Sequence, residues 1–246
     1  YFASVNWGKN HVMLDYSKAK DLEEVRRLVS ESDIVITNFK YGDDLKFGLD
    51  YKSLLVLNQK LIHAQLNGFE SDPKRPAFDA VLQAETGFMS MNGSSESGPI
   101  KMPVALIDVL AAHQMKEAIL LALIHQSRNG KGAHIEVSLE ESALSSLVNQ
   151  ATNWLMNKTI PQRLGSLHPN IAPYRDTFQC NDQRSIVLAV GSDAHFKMFS
   201  NIIGMSESEI VPFLTNPDRV KHRLKMQEII SRNISKMNSK KLMDEL

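Results

Sequence analysis

Asp33-Ile34-Val35-Ile36-Thr37-Asn38 and Leu61-Ile62-His63-Ala64-Gln65-Leu66 are the two stretches on which the fold turns. The first is a short β-branched apolar run, the pattern of a strand buried on both faces of a sheet. The second reads as another strand and ends at Asn67-Gly68. Between them a loop through Gly42 and Gly48 leads to a helical stretch at 51–58. Upstream, His11-Val12-Met13-Leu14-Asp15 has the look of a short strand. Residues 18–31 then set Leu22, Val25, Leu28 and Val29 at helical spacing among charges. Strands alternating with helices predict a parallel sheet built from right-handed crossovers. Such sheets bind ligands beyond the carboxyl ends of their strands. Asn38-Phe39-Lys40 and Asn67-Gly68-Phe69 are therefore candidate ligand walls.

Further along, residues 78–91 read as helical, and Gly93 to Gly98 as a flexible loop. Pro103 precedes a long apolar helix from about Ala105 to Gln126. Asn129-Gly130-Lys131-Gly132 forms a tight turn into a strand at His134-Ile135-Glu136-Val137, followed by a helix from about Leu139 to Met156. The pattern changes at Gly165–Pro173, which has no periodicity and suggests a crossing between domains. Tyr174–Cys180 and Ser185–Val190 read as a hairpin around Asn181-Asp182, and helices fill most of the rest, with a break near Pro212–Pro217. The expected fold class is α/β: a Rossmann-like parallel-sheet large domain over 1–160, with an interdomain crossing and a smaller α+β domain over 161–246.

Composition narrows the function. Lysine plus arginine and aspartate plus glutamate both number 28 in 246 residues, so the formal net charge is zero. A nucleic-acid partner would call for a basic excess or stripe. The one candidate stripe, Arg219 to Lys241, lies on helical sequence and reads as a solvated face. Cys180 is the only cysteine, which excludes an intrachain disulfide and a zinc-thiolate cluster and fits a reducing, cytoplasmic setting. No apolar run reaches membrane-spanning length. The opening Tyr1-Phe2-Ala3-Ser4-Val5-Asn6-Trp7 lacks a secretory layout, and without an initial methionine the chain reads as a piece of a longer protein. Walker, Gly-x-Gly-x-x-Gly, His-Glu-x-x-His and Gly-x-Ser-x-Gly signatures are absent. Scattered histidines such as His63 and His125 read as structural, and Met89 and Met91 as core filler. No metal site is expected.

Asp108 has a distinctive setting. It sits between Ala105-Leu106-Ile107 and Val109-Leu110-Ala111-Ala112, in the first turn of the long helix. Free backbone N–H groups and the helix dipole favour an anion there. The bland alternative is an ordinary acid near a helix start.

Four segments resemble the class III CoA-transferase (CaiB/BaiF) family. The most specific is Arg75-Pro76-Ala77-Phe78-Asp79-Ala80-Val81-Leu82-Gln83-Ala84-Glu85-Thr86-Gly87-Phe88-Met89. Tyr1-Phe2-x-Ser4-Val5-Asn6-x-x-Lys9 with Leu14-Asp15 resembles the approach to the family's second strand. Asp33–Phe39 with Lys46-Phe47-Gly48-Leu49 is similar to its CoA-binding loop, and Asn129–Gly132 through Val137-Ser138-Leu139 to the turn and strand after its catalytic helix. The matches keep their order over roughly residues 1–205.

The resemblance implies an interlocked homodimer, Asp108 as nucleophile, and acyl-CoA and carboxylic acids as substrates, with no permanently bound cofactor. The implied CoA contacts are Leu14, Asp15, Tyr16 and Ser17; Asn38, Phe39 and Lys40; Lys46; and Arg75, Pro76, Ala77 and Phe78. Lys46 stands where the family commonly has arginine, keeping the charge but not the bidentate grip. Acyl-CoA racemases of this fold use a histidine at the position of Phe78, and Phe78 transfers no proton. A non-catalytic CoA-binding protein is a second rival, against which the retained Asp108 argues. Gly165–Tyr174 looks closer to members acting on succinyl-type groups and dicarboxylates than to the glycine-rich loop of the formyl-CoA–oxalate branch. His168 and Arg163 are candidates either for a second substrate carboxylate or for shaping the interdomain turn alone.

Overall fold

Three parallel strands, β1 (Ile34–Thr37), β2 (Ile62–Asn67) and β3 (Ala133–Ser138), form one sheet in the order β1-β2-β3 in the computed structural model, which describes residues 2–246. Tyr1, the first residue of one family-like segment, lies outside the described residues. Register places Ile34 beside Ile62 and His63 beside His134. Helices α1 (Phe2–Val5) and α2 (Ala19–Glu31) precede β1, and α3 (Asp43–Phe47) and α4 (Tyr51–Leu57) connect it to β2. Between β2 and β3 come α5 (Asp79–Glu85), α6 (Phe88–Met91) and α7 (Leu106–Asn129); α8 (Leu139–Ser145) and α9 (Asn149–Asn157) follow.

Local chemistry sets these boundaries. Asp50 caps α4 by accepting the N–H groups of Lys52 and Ser53, and Ser138 caps α8 through the N–H of Glu141. Gly130 ends α7 in the left-handed region at φ 71°. Gly132 is needed for a different reason: a Cβ there would lie 2.1 Å from the carbonyl oxygen of Leu61. Strand β2 is central, and its Ile62, His63 and Ala64 are all fully buried. Leu82, Ile107, Ala111 and Met115 pack into one apolar cluster with Ala64, and Val29, Leu49, Leu54 and Leu61 form another.

Four expectations are corrected. Residues 11–15 form no strand: Val12 and Met13 are exposed, and Asp15 is held in a turn by accepting the Ser17 N–H and hydroxyl. Strand β1 is not buried on both faces: Ile36 is 61% exposed, so the face it points to is uncovered. The helical stretches at 78–91 and 139–156 are each broken in two. Gly87 takes φ 91° in the first, and Val148 takes φ 50° in the second.

By its internal contacts the chain divides into two compact units. One comprises the residues up to Phe88 with Lys101–Leu155, the other Met89–Ile100 with Met156–Leu246. The second holds an antiparallel hairpin of β4 (Tyr174–Gln179) and β5 (Ser185–Ala189). Helices α10 (Asp193–Ile202), α11 (Glu207–Ile210), α12 (Asn216–Lys221), α13 (Arg223–Ile234) and α14 (Ser239–Glu245) complete it, with a 3-10 turn at Val211–Phe213. Its core joins Phe178, Ile186, Leu188, Phe196, Phe199, Phe213, Met226 and Ile230.

The Arg219–Lys241 stretch is not uniformly solvated. Arg219 is fully buried, donating to the carbonyls of Ala172, Phe213 and Leu214 and to Asp193. Arg223 pairs with the buried Asp176 at 3.3 Å. Each guanidinium goes inside because backbone carbonyls and a carboxylate wait there to receive its N–H groups.

Candidate functional site

Asp108 occupies the third helical position of α7, after Leu106 and Ile107. The N-cap residue, Ala105, has no side chain able to cap. The missing acceptor comes from α5. One oxygen of Asp79 accepts the Ile107 N–H at 2.7 Å, and the other accepts Nε2 of Gln83 at 2.7 Å. Gln83 is fully buried. Its Nε2 also donates to the Val104 carbonyl at 3.2 Å, and its Oε1 accepts the Met102 N–H at 2.8 Å. Two side chains one turn apart on α5 thus hold the segment that leads into α7.

Asp108 is solvent-exposed, but desolvation by the surrounding protein raises its pKa above the usual carboxylate value, and the nearby Asp79 charge adds to that rise. Asp79 and Gln83 were absent from the site residues expected from sequence. The available signal was their i, i+4 spacing, which puts an acid and an amide on one helix face.

Two clefts collect most of the expected CoA contacts. One, of about 610 Å³, is lined by Asn38, Phe39 and Lys40 after β1, by Gly68 after β2, and by Arg75, Pro76 and Ala77. Gly68 makes room for this wall: a Cβ on it would stand 2.4 Å from the Ala77 Cβ. Glu140 braces the neighbouring loop by accepting the N–H groups of Glu70 and Ser71 and the Ser71 hydroxyl. Arg75 lies over the Phe69 ring, 4.2 Å from its centroid, and pairs through both terminal nitrogens with Glu85. Lys74 stands over Tyr41.

The other cleft, about 510 Å³, is lined by Leu14, Asp15, Tyr16, Ser17 and Lys46, with Leu22 and Phe47. Tyr16 meets Phe39 at 6.0 Å and Phe47 at 5.4 Å between ring centroids, so an aromatic contact joins the walls of the two clefts. Hydrogen bonds from Ser17 hold the Asp15 carboxyl below its usual pKa. Asp108 and the exposed Phe78 line neither cleft.

In the second unit, Arg163 donates to the Ser90 carbonyl, and His168 Nδ1 accepts the Asn170 N–H at 3.1 Å. Burial, then the charges of Arg175 and Arg223, keep the His168 pKa below its usual value. Its loop is pinned. Arg223 holds the carbonyls of His168 and Ile171, and Asn216 holds the Asn170 carbonyl and the Ala172 N–H. Among the described residues no group of three or more His, Cys, Asp or Glu could hold a metal ion, and no helix is long and apolar enough to cross a membrane.

A crystallised CaiB/BaiF family protein from Brucella suis is 35% identical and superposes with a TM-score of 0.73, over 97% of this chain and 64% of that one. A hypothetical protein from Mycobacterium tuberculosis, at 24% identity and a TM-score of 0.81, shares the fold. Among curated relatives, a succinate–glutarate CoA-transferase from Agrobacterium fabrum is 37% identical over 99% of this chain and 61% of its own length. An acetyl-CoA:oxalate CoA-transferase from Acetobacter aceti is 32% identical over 96% of this chain and 61% of its own length. The chain therefore spans about three-fifths of the length of these two. A family model described as CoA-transferase family III matches residues 1–246. With its parallel sheet and separate small antiparallel sheet, the chain belongs to CoA-transferase family III.

Proposed function

We propose that this protein moves coenzyme A from an acyl-CoA donor to a carboxylic acid, with the Asp108 carboxylate as nucleophile. The observation that carries the reading is the placement of Asp108 in the first turn of α7 of a family III chain, where desolvation by the surrounding protein and then the Asp79 charge raise its pKa. A more basic carboxylate is a better nucleophile once ionised.

Asp108 attacks the donor's thioester carbonyl, forming a mixed anhydride and expelling CoA thiolate. The thiolate attacks the aspartyl carbonyl of that anhydride, giving an aspartyl-CoA thioester and the free donor acid. The acceptor carboxylate attacks this thioester, forming a second anhydride and again releasing thiolate. Attack of the thiolate on the acceptor's acyl carbonyl yields the new acyl-CoA and restores Asp108. The thioester is conserved throughout, so the exchange needs neither ATP nor a metal. Backbone N–H donors at the oxyanions and exclusion of water from the anhydride are the remaining requirements.

Lys40 and Lys46 supply cations along the two clefts for the nucleotide phosphates, Arg75 lines the first cleft with its terminal nitrogens on Glu85, and Phe39 and Tyr16 offer aromatic surface. We assign dicarboxylates as the acids, because succinate, glutarate and oxalate stand in the names of the similar enzymes. As in the family, the working form is taken to be an interlocked homodimer.

The test is Asp108→Ala, assayed by transfer of CoA from succinyl-CoA to glutarate. Exchange is expected to vanish while CoA still binds; full activity in the variant overturns the reading.

A further inference from the structure

Gln83 is a fully buried amide with both ends of its carboxamide engaged. Its nitrogen donates to Asp79 and to the Val104 carbonyl, and its oxygen accepts the Met102 N–H. The Val104 carbonyl also accepts the Leu106 N–H at 2.8 Å, within the turn that opens α7. Pro103, between the two anchored residues, has no N–H to offer. The segment before α7 is therefore fixed on both sides of the proline by one side chain. Asp79, oriented by the same side chain, then fixes Ile107, the neighbour of Asp108.

We propose that Gln83 is a positioning residue for the Asp108 nucleophile: its carboxamide ties Asp79 to the Met102–Val104 segment and so fixes where the first turn of α7 presents the Asp108 carboxylate. The role rests on the acyl-transfer reading given above. It requires a glutamine, because the site demands two donors and one acceptor from a single planar group. Leucine supplies neither. Glutamate supplies the acceptor alone and sets a carboxylate against Asp79. Gln83 lines neither cleft, so its loss acts on the reacting geometry and not on CoA binding. A displacement of about 1 Å at a reacting group costs on the order of 100-fold in rate.

The experiment compares wild type, Gln83→Leu, Gln83→Glu and Asp108→Ala in CoA transfer from succinyl-CoA to glutarate, with a melting transition recorded for each. In both Gln83 variants kcat is expected to fall about 10- to 100-fold while KM for succinyl-CoA stays within about two-fold. Should one variant not fold, the other is read alone; loss of folding in both marks Gln83 as structural only and overturns the proposal. Wild-type kcat in a folded Gln83 variant, or a rise in KM alone, overturns it too, and an inactive Asp108→Ala then leaves the aspartyl mechanism standing. Exchange that survives in Asp108→Ala overturns both.

Discussion

At the scale of single residues, Asp108 and Asp79 sit in different surroundings. Asp79 receives two N–H donors, whereas the Asp108 carboxyl is raised by burial and then by the Asp79 charge. On the proposed mechanism only ionised Asp108 attacks the thioester, so activity is expected to fall as pH drops through a pKa above the usual 3.8. Asp79→Asn removes the charge, and the acid limb of kcat against pH is expected to move to lower pH. An unmoved limb would contradict the coupling. In the sequence Asp108 is picked out by the family-like segments around it, because its own setting is shared by any acid near a helix start. Gln83 and Asp79 offer only their i, i+4 spacing, because the backbone groups they bind lie 19 to 28 positions away and come into reach only through the packing of α5 against α7. The exposed Phe78 carries no group able to transfer a proton.

Among the elements, β2 shows how much the sequence reveals and where it stops. Its apolar run and its turn signals were enough to place the strand; its neighbours were not. Register sets His63 beside His134, and the two rings stack with Tyr51 beyond. His63 is fully buried, meets Thr37 through Nε2 at 2.9 Å, and has no partner for Nδ1. Burial first, then the His134 charge, lowers its pKa from 6.5 to about 4. The unfolded chain takes up this proton near 6.5 and the folded chain only near 4. Stability contributed by neutral His63 is therefore intact above 6.5 and is lost as pH falls across that window. Melting temperature should decline with pH over this range more steeply in wild type than in His63→Gln; equal slopes would count against the assignment. Strand β1 departs from its pattern because a β-branched run predicts burial on both faces, yet nothing described covers the face to which Ile36 points.

For the molecule as a whole, the alternation of strands and helices gave the α/β class, whereas the aperiodic Gly165–Pro173 stretch lies inside the second compact unit. The position of Arg219 was hidden, because nothing local distinguishes a buried guanidinium from a solvated one until three carbonyls converge on it. Arg219→Met strands those carbonyls while the exposed Asp193 turns to water, and should destabilise the second unit by about 1–3 kcal/mol. Hydrogen exchange is the readout: faster exchange in α10 to α13 is expected, with β2 and β3 unchanged, and uniform protection would refute it. The central claim, covalent catalysis at Asp108, meets its most direct test in peptide mass spectrometry after incubation with succinyl-CoA and no acceptor, followed by borohydride. Reduction of an aspartyl thioester leaves homoserine at position 108, the predicted result. An unmodified Asp108 in a preparation that exchanges CoA, or modification at another carboxylate instead, would contradict the account.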